Sequence, residues 1–280
     1  MTQINHLKDK VIIVTGAASG FGKLVSQKAA ASGARIVAAD ISEEALLSMI
    51  SDLQASGHQA AGMKADVTRR TDMQAVAQQA ISTFGQIDIL INNAGIMPLA
   101  FFADHADAAE AWDRCIDINI KGVVNGIAAV YDQMISQGRG HILNLSSIYG
   151  NYGVPGGAVY GATKAAVDFI SESLRQESLG KIKVTTIKPT GIPGTGLGAG
   201  VINPLAISGI LRDKAPEYMG KFELAATGQL PAAQTDPNSV EYWALAPEYL
   251  ADQIIYAINQ PWGVSIAELT VRATGDAYMM

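Results

Sequence analysis

Short, almost wholly apolar runs alternate with amphipathic stretches along the first two-thirds of the chain. The runs at 10–16 (KVIIVTG), 35–40 (RIVAAD), 87–95 (IDILINNAG), 141–147 (HILNLSS) and 183–189 (KVTTIKP) are rich in β-branched residues and short, so each predicts a strand. A weaker strand is predicted at 59–67 and a last one at 267–273. Helical periodicity covers 21–33, 42–57, 71–85, 107–137 and 158–179, with Ser42 and two acids as a start and Gly57 and Gly85 as stops. Strands apolar on both faces and joined by helices predict parallel βαβ units. The expected fold is α/β: a doubly wound parallel β-sheet of about seven strands with helices on both faces. A single domain over 1–280 is expected. Segment 190–245 breaks the rhythm with Gly, Pro and small residues around one apolar helical piece at 204–222, and reads as a substrate lid.

Composition narrows the function classes. With 49% apolar and 16% charged residues the chain can bury a sizeable core. A net charge of −6 argues against a nucleic-acid surface. The apolar runs are too short to span a bilayer, and the polar N-terminus lacks a signal core. A lone cysteine, Cys115, excludes an internal disulfide and fits a reducing compartment, so a cytoplasmic location is expected. His6, His58, His105 and His141 lack metal-site spacing, and no metal is expected. His105, between Asp104 and Asp107, reads as a polar loop before a helix that Asp107 caps.

Candidate chemistry begins in the first turn, VTGAASGFG. Gly16, Gly20 and Gly22 lie between the first strand and the first helix, where glycine lets backbone N–H groups approach a pyrophosphate and the helix N-terminus favours an anion. Their spacing is G-x-x-x-G-x-G rather than G-x-G-x-x-G. Asp40 ends the second strand, 18 residues after Gly22. An acid there accepts hydrogen bonds from an adenosine ribose and repels a 2′-phosphate, which points to NAD over NADP. Helix capping is its other reading, with Ser42 the better cap. Tyr160 and Lys164, four residues apart, share one helix face.

TGAASGFG (15–22), ADV (65–67), NNAG (92–95), NIKG (119–122), LNLSS (143–147) and YGATK (160–164) occur in the order that resembles the short-chain dehydrogenase/reductase family. The resemblance spans about residues 8–190 and the final strand, and implies a Rossmann fold. It implies that Gly16, Ser19, Gly20, Phe21 and Gly22 form the phosphate turn, and that Asp40 and Ile41 cradle the adenosine. Asp66 and Val67 would lie beside the adenine, and Asn93, Ala94 and Gly95 would flank the cofactor. Asn119, Ser147, Tyr160 and Lys164 match the catalytic four; Ser147 is preferred to Ser146 because it lies thirteen residues before Tyr160. The implied chemistry is hydride transfer between a secondary alcohol or ketone and the nicotinamide. Tyr160 is general acid/base, with its phenol pKa lowered by Lys164 and the cofactor's positive ring. Lys164 would also bond the nicotinamide ribose, Ser147 would hold the substrate oxygen, and Asn119 would position a water. The resemblance also suggests a homotetramer or homodimer.

One turn departs from the family. In KPTGIPGTG (188–196), Pro189 and Ile192 fit, but Thr190 stands where Gly is usual, and Gly194 where Thr is usual. Candidate pocket residues are Met97, Pro98, Ile148, Tyr149, Asn151, Tyr152, Leu197, Val201, Ile202, Leu205, Ile207 and Leu211, a mostly apolar set. They suggest a neutral, hydrophobic secondary alcohol and its ketone. An NADP-dependent carbonyl reductase and a non-catalytic dinucleotide-binding sensor are the alternatives.

Overall fold

The computed structural model describes residues 5–278. Strands β1 (Val11–Thr15), β2 (Arg35–Asp40), β3 (Ala60–Lys64), β4 (Ile89–Asn92), β5 (Gly140–Leu145), β6 (Ile182–Pro189) and β7 (Glu268–Val271) form one sheet. All pairings are parallel, in the order β3-β2-β1-β4-β5-β6-β7. The helices are α1 (Gly20–Ala31), α2 (Glu43–Ala55), α3 (Arg70–Phe84), α4 (His105–Ile116), α5 (Gly122–Ser136), α6 (Ala158–Glu177), α7 (Ser208–Leu211), α8 (Ala215–Ala226), α9 (Ala232–Thr235) and α10 (Pro247–Ile258).

The pleat of β1 accounts for the two layers. Ile12 and Val14 join a core with Val25 of α1, Met49 of α2 and Ile254 of α10, while Val11 and Ile13 join one with Val76 of α3, Met134 of α5 and Leu174 of α6. Successive side chains of a strand point to opposite faces, so a strand apolar at every position is covered twice. The strand order reverses between β1 and β4, and the loops leaving their C-terminal ends diverge into a crevice. A third apolar cluster lies at this end, where Leu99, Tyr149 and Tyr160 meet Ile210, Tyr218 and Trp243.

Several boundaries differ from those predicted. β3, β4 and β7 are shorter, and the residues after β3 and β4 leave the sheet to line or lace the crevice. The helix predicted at 107–137 starts at His105, so Asp107 lies in its first turn and does not cap it. It also contains a wide π turn, Asp117–Lys121, between α4 and α5. Ser42 occupies the N-cap of α2, but its side chain makes no capping bond. The apolar piece at 204–222 is not one helix: it breaks at Arg212, whose φ is +49°, before α8 restarts with proline in its first turn.

Candidate active site

The glycine-rich turn is built by close backbone approach. Gly16 and Gly20 have positive φ (63° and 50°), and a Cβ on Gly22 would lie 2.0 Å from the Gly16 carbonyl oxygen. No acidic side chain occupies the first turn of α1, and Ser19 makes no side-chain capping bond there. Its N-terminal N–H groups therefore keep their capacity for an anion. The turn is laced to β4. Thr15 Oγ1 accepts from the N–H groups of Asn93 (3.1 Å) and Ala94 (3.2 Å), and Asn93 Nδ2 donates to the carbonyls of Thr15 (2.9 Å) and Gly16 (3.1 Å).

Asp40 sits at the rim beside exposed Ile41. Its carboxylate accepts from the N–H groups of Ala18 and Ser42, both at 2.9 Å. Its side chain is thus held in one orientation with acceptor capacity left over. Asp66 is held by the N–H (2.9 Å) and hydroxyl (2.8 Å) of Thr68, while Asn125 Nδ2 donates to the Val67 carbonyl at 2.9 Å.

On α6, Tyr160 and Lys164 lie one turn apart and both are buried. Lys164 Nζ donates to the Leu145 carbonyl at 2.8 Å and stands 5.7 Å from the Tyr160 ring centroid. Burial drives the lysine down to about 8. Burial also pushes the Tyr160 phenol above its ordinary value, opposed by the Ser147 hydroxyl. The lowering expected of Tyr160 is therefore not achieved by the chain's own groups, because desolvation outweighs them. Ser147 accepts from the Tyr149 N–H at 3.2 Å, whereas Ser146 donates to the Lys164 carbonyl at 3.1 Å.

Asn119 lies in the π turn, which departs from i→i+4 bonding and presents its side chain to the end of β4. Its Oδ1 accepts from the Ile96 N–H at 3.0 Å, and its Nδ2 donates to the Ile96 carbonyl (3.0 Å) and Thr163 Oγ1 (3.1 Å). A Cβ on Gly95 would lie 3.2 Å from Asn119 Oδ1 and 3.6 Å from Lys164 Nζ, so the three residues meet at one point.

A continuous cleft of about 780 Å³ joins these groups. All the sequence-selected cofactor residues line it except Gly22, which packs behind the turn; Ser147 lines it too, but Asn119 does not. Among the described residues Lys164 is the sole cationic side chain on its lining. Of the pocket candidates, Met97, Tyr149, Leu197 and Ile207 line it. Pro98, Ile148, Asn151, Tyr152, Val201, Ile202, Leu205 and Leu211 do not, and Asn151 instead accepts from Lys188 at 3.1 Å. Leu99, Ile118, Tyr218, Met219, Phe222 and Tyr278 line it without having been identified from the sequence. The helical spacing of Tyr218, Met219 and Phe222 was an available signal, but nothing local marks Tyr278.

The departing turn at 188–196 has a structural explanation. Thr190 Oγ1 donates to Asp276 Oδ2 at 3.1 Å, and a Cβ on Gly191 would lie 2.0 Å from the Tyr278 ring. The C-terminal segment thus returns over this turn.

The family model described as short chain dehydrogenase matches residues 10–202. An uncharacterized oxidoreductase of Listeria innocua is 37% identical over 268 residues, covering 96% of this chain and 98% of that protein. The closed form of a serine dehydrogenase complexed with NADP+ has a TM-score of 0.76 at 28% identity, covering 96% of each chain. A short-chain dehydrogenase/reductase from Burkholderia phymatum in complex with NAD has a TM-score of 0.74 at 25% identity, covering 95% of this chain and 90% of that one. No helix among the described residues is long and apolar enough to cross a membrane.

Proposed function

The chain belongs to the short-chain dehydrogenase family of oxidoreductases, and on that premise we propose that it interconverts a hydrophobic secondary alcohol and its ketone, using NAD. The observation that carries the cofactor reading is Asp40. Its carboxylate is fixed at the rim by two backbone N–H groups, and among the described residues no cationic side chain lines that end of the cleft to meet a 2′-phosphate. The residues fit a dinucleotide: a Cβ would fill the turn at Gly22, and the start of α1 is open to an anion. Gly16, Ser19, Gly20 and Phe21 would hold the pyrophosphate side, Asp40, Ile41, Asp66 and Val67 the adenosine, and Asn93, Ala94, Gly95, Pro189 and Ile192 the nicotinamide side. When bound, the cofactor supplies the hydride acceptor or donor.

The chain's own groups handle the proton and the oxygen. Ser147 holds the substrate oxygen by hydrogen bond. Burial keeps Tyr160 protonated, the state that gives a proton to a ketone oxygen. In the oxidative direction Tyr160 takes the alcohol proton, so it must first lose its own, and Lys164 one turn away favours that loss. Oxidation should therefore accelerate as pH rises above neutrality; a flat profile would assign rate control to another group. Asn119 acts by holding the β4 exit against α4 and α6. Exposed Ile116, Val124 and Phe169 on α4, α5 and α6 support a homodimer or homotetramer.

The NADP-dependent alternative draws on the serine dehydrogenase neighbour, which binds NADP+. Nicotinamide absorbance with a panel of secondary alcohols, NAD+ and NADP+ side by side, tests the choice. NAD+ reduction is expected, with the preference lost in Asp40→Ala; an unchanged cofactor ratio in that variant would refute the reading.

A further inference from the structure

We propose that the paired phenols of Tyr218 and Tyr278 form a specificity subsite that donates a hydrogen bond to a second oxygen on the substrate. This would narrow the substrate class to apolar ketones and alcohols bearing an ether, carbonyl or hydroxyl oxygen away from the reacting carbon. The proposal rests on the alcohol/ketone reading for the first oxygen.

The two side chains come from distant parts of the chain. Tyr218 lies on α8 and packs against Trp243, with ring centroids 5.2 Å apart. Tyr278 meets it edge-on, centroids also 5.2 Å apart, and both rings line the cleft. Their hydroxyls are 2.8 Å apart. Two phenols carry two protons, and one mutual hydrogen bond uses only one. Among the described residues neither hydroxyl has another partner, so one O–H remains to be given to whatever fills the cleft. Burial holds both phenols protonated, so they are donors at neutral pH. Around them Met97, Leu99, Met219 and Phe222 form an apolar wall, and the phenol of Tyr149 lines the same cleft. A buried donor beside an apolar wall discriminates strongly, because a ligand without an acceptor leaves it unpaired.

Tyr278 is held there by a dedicated latch. Its N–H donates to Asp276 Oδ1 at 3.2 Å, and Asp276, itself buried, also pairs with Arg272 and accepts from Thr190. Gly191 makes room for the ring. Thr190, one of the two residues that depart from the family's turn, is thus the anchor of the segment that carries the phenol.

The test compares ketones differing only by oxygen for methylene: 3′- and 4′-methoxyacetophenone against 3′- and 4′-ethylacetophenone. Affinity is measured by calorimetry on the full chain with and without NAD+, conditions under which a ketone cannot be reduced. At least one methoxy ketone is expected to bind about fivefold or more tightly than its ethyl partner. That advantage should vanish in the double variant Tyr218→Phe/Tyr278→Phe and shrink in Thr190→Val, which releases the latch. Equal affinities at both positions in the unaltered chain, a comparison that needs no variant, overturn the subsite. A preference unchanged in a folded double variant overturns it too. Turnover with NADH is scored separately: a methoxy preference without reduction of any ketone would sink the hydride-transfer reading and leave the subsite standing.

Discussion

Tyr160 and Lys164 stand one helical turn apart, and burial acts on them in opposite senses. It holds the phenol neutral and drives the ammonium down to about 8, so both lose charge relative to water. Tyr160→Phe keeps the ring and its edge-on contact with Tyr149 but removes the transferable proton. Turnover should fall by roughly 10²–10⁴ with NADH affinity within about threefold of the unaltered chain, measured by fluorescence titration. Near-normal turnover would remove Tyr160 from the chemistry. Gly191 makes a sharper steric case. Gly191→Ala must displace the Tyr278 ring, so KM should rise with cofactor affinity little changed; a KM equal to the parent's would show that the C-terminal segment does not shape the site.

At the scale of elements, the π turn between α4 and α5 and the exit of β6 position the site. The π turn delivers Asn119 to both backbone groups of Ile96, and Asn119→Ala would leave that part-buried N–H without its partner and the C=O with only the long contact from Cys115 Sγ (3.7 Å). The expected loss is about 1–3 kcal/mol, read as a lower urea midpoint, together with weaker NADH binding. An unchanged midpoint would mean that the Ile96 groups find other partners. Lys188, at the end of β6, pairs with Asp168 of α6 (3.2 Å) and Glu268 of β7 (2.9 Å) and donates to Asn151. It ties the strand that feeds the Pro189 turn to the helix that carries Lys164. The strand–helix order was legible from periodicity, and so was the helix bearing Tyr160. The π turn was not, since DINIKG continues a helical pattern and the wide turn is stabilised by the distant Ile96 backbone. The break near Arg212 had a local signal in Pro216, in the first turn of α8, but the positive φ of Arg212 had none.

For the whole molecule, buried titratable groups shape stability against pH. Lys164 and Lys183 are each held down to about 8 by burial, against 10.5 ordinarily. Between those values the unfolded chain binds more protons than the folded one, so stability rises with pH. Tyr149, Tyr160 and Tyr278 are shifted upward, so their contribution is complete below the ordinary phenol pKa of 10.0 and is lost as pH rises beyond it. Buried His141, held at about 3 against 6.5, contributes above 6.5 and loses that contribution as pH falls toward 3. Denaturant midpoints should therefore fall below pH 6.5 and peak between about pH 8 and 10. A monotonic decline from pH 7 upward would contradict the burial of the two lysines.

The sequence by itself determined the doubly wound sheet, the glycine turn behind β1, the acid at the end of β2 and the Tyr160–Lys164 pair. Each is encoded locally: by a period of two or 3.6, by a residue that alone tolerates a tight turn, or by neighbours on one helix face. Tertiary structure alone decided that Asn119 braces Ile96 and stays off the cleft wall, that Asp40 accepts from the Ala18 N–H of the glycine turn, and that Thr190 anchors a returning tail. It also brought Tyr218 and Tyr278, sixty positions apart, to hydroxyl contact. Such contacts are set by how the chain closes on itself, and no local pattern of residues carries that information.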